Sequence, residues 1–143
     1  MTARLFALFL SLALGAAPFP EPTNNQPETT PLLSPAEALT KLHLPDGFRA
    51  TLFAGEPDVR QPIALCWDER GRLWVAENYT YADGKERFDL KLRDRIVIFE
   101  DADHDGRFDK RTVFTDEVQM LTSLERGLGG VWALCPQIGR AHV

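Results

Sequence analysis

The sequence predicts an all-β fold, and three observations carry that reading. Past residue 42, short β-rich runs replace any helical pattern. Turn signals separate those runs at close intervals. At least one run, "RLWVAEN", carries apolar residues on both faces, as a strand buried on both sides requires. Short strands with frequent turns are the mark of a sandwich or a propeller.

The elements follow in chain order. "MTARLFALFLSLALGAAPFP" opens with Arg4, an apolar run from Leu5 to Leu14, and the small residues Gly15, Ala16 and Ala17. That order predicts a secretory signal peptide over residues 1–17, with an apolar run short for a bilayer span. No transmembrane span is expected in the mature fragment. The protein is therefore expected to be exported, to the periplasm or outside the cell, with membrane association left open. Residues 18–33 are rich in Pro, Thr, Asn and Glu and read as a disordered linker. Ser34, Pro35 and Glu37 form an N-cap, a first-turn proline and a capping box, predicting a short helix from Pro35 to Leu42.

From Phe48 the run "FRATLFA" alternates as a strand. "PIALCWD", "RLWVAEN", "RIVIFED" and "RTVFTD" follow, with turns at Asp68–Gly71, Ala82–Gly84 and the aspartate-rich loop. In "DERGRLWVAE", Trp74 and Ala76 share one face while Leu73 and Val75 share the other. Trp67, Trp74 and Trp132 are assigned to packing. Cys66 and Cys135 would meet an oxidising compartment, yet Cys66 sits in an apolar run and reads more simply as a buried small side chain.

Composition narrows the function classes. The chain has 143 residues, 44% hydrophobic and 26% charged, with a net charge of −5. That size suits one domain. The negative balance and the lack of a basic patch argue against nucleic acid. No Ser-His-Asp arrangement, nucleotide loop or C-x-x-C-H haem site is present.

The richest motif is "FEDADHDGRFDKRTVF". Asp101, Asp103, Asp105 and Asp109 fall within nine residues, with Gly106 permitting a sharp bend. The spacing places three carboxylates, the Arg107 carbonyl and Asp109 as successive oxygen ligands for a hard cation, which points to structural calcium. The loop departs from an EF-hand: position twelve is Thr112, and the flanks are strand-like. The alternative is a solvated acidic turn neutralised by Arg107, Lys110 and Arg111. At the exit of "RLWVAEN", Glu77, Asn78 and Tyr79 are candidates for the edge of a cofactor site, or else an ordinary hydrogen-bonded strand end. "RGLGGVW", Arg126 to Trp132, reads as a tight turn or as a close backbone approach to a ligand.

The order "LPDGF", "PIALCWDERGRLWVAE", "DADHDGRFD", "GLGGVW" resembles the start of the membrane-bound dehydrogenase family, large exported bacterial proteins. The resemblance covers Leu44 to Pro136. It implies a β-propeller similar to that of quinoprotein glucose/sorbosone dehydrogenases, with pyrroloquinoline quinone as cofactor and a c-type haem domain outside this chain. It further implies oxidation of a sugar or alcohol. The competing reading is a non-catalytic, calcium-stapled propeller that binds glycans or proteins. A blade takes about 40–50 residues, so residues 34–136 hold about two blades and leave sheet edges open. Residues 137–143 break the preceding pattern. Back-translated, Ile138–Val143 reads as a common library adapter, which predicts read-through from a truncated gene.

Overall fold

The computed structural model describes residues 32–81, 87–136 and 141–142. The signal peptide and most of the linker lie outside the described residues, as does the turn at Ala82–Gly84. The fold is all-β, with one short helix. Helix α1 spans Pro35–Leu39 and is followed by β1 (Pro62–Trp67), β2 (Leu73–Glu77), β3 (Asp94–Glu100), β4 (Lys110–Val118), β5 (Ser123–Gly127), β6 (Gly130–Leu134) and β7 (Ala141–His142). The capping box forms as the sequence predicts, but the helix ends three residues before Leu42. Leu42 is exposed, and the five helical residues bury no side chain that would extend it.

Strands β1 to β4 form an antiparallel meander in chain order, and β5 to β7 form a second, three-stranded sheet. Both sheets are open. In the first sheet the register aligns Cys66, Trp74, Ile98 and Thr112 across the four strands, and Leu65, Val75, Val97 and Val113 in the next row. Alternation sends these rows to opposite faces.

The first face packs on the second sheet: Cys66, Trp74, Ala76, Ile96 and Ile98 meet Leu121, Leu124 and Val131. The opposite face carries Val75, Val97 and Phe99, covered by Phe53, Ala54, Val59 and Phe108. Both central strands are thus buried on both sides, as their two-faced apolar pattern requires. A side chain the size of Phe99, fully buried, contributes about 1.5–3 kcal/mol.

A register shift between Ile96 and Val97 leaves Phe114 unpaired opposite them. This bulge lets the Phe114 ring meet Trp74 edge-on, with ring centres 4.9 Å apart. Trp74 is buried, but Trp67 and Trp132 stay 54% and 46% exposed, so packing accounts for them only in part. Both cysteines are free, and Cys66 is buried in the core. Residues 48–54, expected as a strand, belong to neither sheet.

The turn after β1 is built around Asp68. Gly71, at φ +72°, donates its N–H to the Asp68 carbonyl, closing the tight turn that "DERG" predicts. Helix α1 docks on residue 55 through close approach: a Cβ on Gly55 would lie 2.7 Å from the Pro35 ring. Gly55→Ala therefore forces the helix away. The expected cost is about 1 kcal/mol, read as a lower urea midpoint with an unchanged m-value.

Candidate functional site

Strand β2 exits into a run of buried polar residues. Glu77, Asn78, Tyr79 and Thr80 are all enclosed, and so is Asp94 at the start of β3. A buried carboxylate is tolerated only when its oxygens are satisfied. The Asp94 carboxylate accepts from the Tyr79 and Thr80 amides, each at 2.7 Å, from the Thr80 hydroxyl at 2.9 Å, and from the Leu121 amide at 2.7 Å. The exit of β2, the start of β3 and the lead into β5 therefore converge on one side chain.

Around it the other groups are committed too. Asn78 donates its amide group to the Leu121 carbonyl at 2.7 Å and accepts from the Tyr81 N–H at 2.9 Å. The Thr80 hydroxyl also accepts from the Met120 N–H at 3.1 Å. Two bordering residues, Gln61 and Met120, adopt left-handed φ of 44° and 55°. The Gln61 carbonyl accepts from the Asn78 N–H, so the unusual backbone serves the same knot.

Glu77 faces its cross-strand partner Arg95. Its carboxylate accepts from Arg95 Nε and from the Arg60 amide at 2.8 Å, with the Arg111 guanidinium 3.8 Å away. Arg95 also donates to the Tyr79 hydroxyl at 2.7 Å and lies over the Tyr79 ring. Burial, and next the Glu77 carboxylate, push the Tyr79 phenol above its ordinary value. Glu77, Asn78 and Tyr79, the candidates for the edge of a cofactor site, lie side by side in this buried network. Their polar atoms are hydrogen-bonded within the chain. Sequence reasoning missed Asp94 as their hub. The only signal is a lone aspartate directly before an apolar strand.

The aspartate loop joins β3 to β4, its ends closed by the Asp109 N–H on the Glu100 carbonyl. Asp101, Asp103 and Asp109 bring carboxylate oxygens within 4.8 Å of one another. Asp101 Oδ2 accepts from the Gly106 N–H at 3.0 Å, and Asp109 Oδ2 from the Ala102 N–H at 2.6 Å. Asp101 Oδ1 is buried and has no hydrogen-bond partner. Left-handed His104 and Gly106 wrap the chain around that point. Asp105 stands outside the group, its Oδ1 accepting from the Arg107 N–H at 2.8 Å. His104 is exposed. An all-oxygen set with an orphaned carboxylate oxygen fits a hard cation such as calcium.

A third cluster surrounds Asp68, which takes the Arg70 and Arg72 amides, Arg72 Nε and Trp74 Nε1 at 2.7–2.9 Å. Arg72 and Arg126 lie over the Trp74 ring, 5.7 and 5.0 Å from its centre. Arg126 comes from β5, so this cluster also joins the two sheets.

The sequence profile of a domain of unknown function, DUF7133, matches residues 34–135. The chain belongs to the DUF7133 family. The match runs from the N-cap of α1 to the residue after β6, and so takes in all three clusters. No curated protein and no solved structure matches the chain.

Two outcomes follow for this DUF7133 domain. Asp94→Asn sets an amide N–H₂ against backbone donors, and should lower unfolding free energy by about 2–4 kcal/mol in urea titration, while the exposed control Glu117→Gln stays near wild type. For Asp68, burial alone would raise the carboxyl, but the Trp74, Arg72 and Arg70 hydrogen bonds outweigh it and hold the group well below the usual carboxylate range. Its stabilisation is therefore complete above the unfolded aspartate value near ~4 and drains away as pH falls below it. Thermal melts from pH 6 down to about 2 should show Asp68→Asn losing less stability with acid than wild type.

Proposed function

We propose that this DUF7133 domain is the opening part of an exported, dehydrogenase-like β-propeller, with a calcium ion clipping the β3–β4 hairpin of its first blade. The observation that carries the calcium reading is the convergence of Asp101, Asp103 and Asp109 around the partnerless Asp101 Oδ1. Those residues would hold the ion, with Asp105 and the Arg107 carbonyl next in the ligand spacing. The ion would neutralise clustered negative charge and fix the hairpin end; no reaction step passes through it. The propeller reading is supported by a four-stranded meander in chain order whose face packs on the next meander.

The oxidation of a sugar or alcohol, with electrons passed to a haem domain elsewhere, rests on the resemblance of the motifs. One observation favours the non-catalytic alternative, a propeller binding glycans or proteins. The polar residues at the β2 exit are enclosed and satisfied within the chain. Binding of pyrroloquinoline quinone to the protein separates the two.

Calcium titration of the 143-residue chain by calorimetry should give a dissociation constant on the order of 10⁻⁴ M. At millimolar calcium this stabilises the fold by about 1.4 kcal/mol. Asp101→Asn with Asp109→Asn should weaken binding at least about tenfold, since each removes a charged ligand. A chain whose melting temperature ignores calcium and chelator alike would refute the clip.

A further inference from the structure

Residues 53–61 join neither sheet, yet they lie against the face of β1–β4 that carries Val75, Val97 and Phe99. This strap packs there through Phe53, Ala54 and Val59. It folds back on itself at Gly55, whose carbonyl accepts from the Asp58 and Val59 N–H groups at 2.9 and 3.2 Å. Four hydrogen bonds join it to its surroundings. The Phe53 carbonyl accepts from the Phe108 N–H at 3.4 Å, and the Asp58 carbonyl from Arg111 Nε at 2.6 Å. The Arg60 N–H donates to the Glu77 carboxylate at 2.8 Å, and the Gln61 carbonyl accepts from the Asn78 N–H at 3.1 Å.

The first two anchors belong to the aspartate loop and its outgoing limb. Phe108 directly precedes Asp109 and meets Phe99 edge-on, ring centres 5.0 Å apart. Arg111 follows Asp109 by two residues, lies over the Phe99 ring at 5.9 Å and brings its guanidinium 3.8 Å from Glu77. Asp109 itself meets Asp101 and Asp103, with carboxylate oxygens within 4.8 Å of one another. Like charges that close repel, and Asp101 Oδ1 is buried among them with no partner. A cation there cancels the repulsion. Without one, the loop relaxes by parting Asp109 from Asp101 and Asp103, and Phe108 and Arg111 flank the residue that moves. The other two anchors, Arg60 and Gln61, hold the β2 exit, where Glu77 and Asn78 are enclosed.

We infer that calcium in the aspartate loop controls the strap, an inference that rests on the calcium reading above. The strap has two states. Seated, it covers Val97 and Phe99 and supplies the Arg60 and Gln61 bonds to the β2 exit. Lifted, it gives up those bonds together with the Phe108 and Arg111 anchors. Calcium favours the seated state because the ion fixes the limb that carries two of the four anchors. A ligand shifts an equilibrium only through contacts that differ between the two states, and here those contacts are Phe108 on Phe53 and Arg111 on Asp58. An ion of the affinity given above that binds the seated state alone raises its population over the lifted one about tenfold at millimolar calcium. Calcium thereby sets how firmly Glu77 and Asn78 are held at the far end of the strap.

Hydrogen exchange of the Asp58, Val59 and Arg60 amides, compared with the β3 amides in millimolar calcium chloride and in excess chelator, tests this. In chelator the strap amides should exchange faster than those of β3, through an opening of their own. Calcium should slow them about tenfold. Arg111→Gln removes the Asp58 anchor and none of the proposed ligands. Calorimetry of that variant should still show calcium binding, while the slowing of the strap amides falls below about twofold. Wild-type protein that gives no heat with calcium removes the calcium reading and this inference with it. Calcium that binds while the strap amides keep their chelator rates overturns the inference alone. Strap amides that match β3 in chelator have no opening to control and overturn it too, as does a slowing that persists undiminished in Arg111→Gln.

Discussion

The fold hangs on the buried carboxylate of Asp94. A charge enclosed this fully must be satisfied by groups that cannot drift, and the chain supplies backbone amides rather than long side chains. Three of its four donors are N–H groups from two separate segments, residues 79–80 and residue 121. The β2 exit loop and the lead into β5 therefore have fixed positions relative to β3. The two sheets then meet in one way, with Leu121 and Leu124 against Ile96 and Ile98. The left-handed backbone at Gln61 and Met120 is the local strain that this arrangement sustains.

Two further carboxylates, Asp68 and the equally enclosed Glu77, repeat the device. Asp68 gathers donors from its own turn and from Trp74, and Trp74 in turn carries Arg126 from the second sheet. Glu77 joins β2 to Arg95 on β3 and to the Arg60 amide. In each case a carboxylate at a strand end holds segments that apolar packing alone would leave free to slide, since hydrophobic contact is not directional. The exposed Lys110–Glu100 pair at 3.1 Å adds little by comparison.

Much of this was legible in the sequence where the signal is local. Ser34, Pro35 and Glu37 announce a helix start, and Leu73 to Ala76 announce a strand with two buried faces. The Asp68–Gly71 turn and the aspartate loop follow from residue types at short spacing. What escaped are relations over distance. Asp94 draws donors 14, 15 and 27 positions away, and no local pattern encodes that. Asp105 matches the ligand spacing, yet its oxygen turns to the Arg107 amide, a choice set by backbone path rather than by residue type. The segment from Phe48 reads as a strand because alternation reports which sides are apolar and not whether a neighbour exists to pair with.

The chain-order meander of β1 to β4 has a consequence for how the protein is made. Each strand pairs with the one synthesised just before it, so loop closures are short and the contacts local. A chain growing from its N-terminus can thus lay down the sheet strand by strand without waiting for distant sequence. The exceptions come from residues 120–121, above all the Leu121 amide, which reaches Asp94 only after β4 has emerged. Until then one oxygen of the central carboxylate lacks that donor, and the nascent sheet has a built-in reason to stay loose. The arrival of residue 121 turns a vectorial assembly into a locked one.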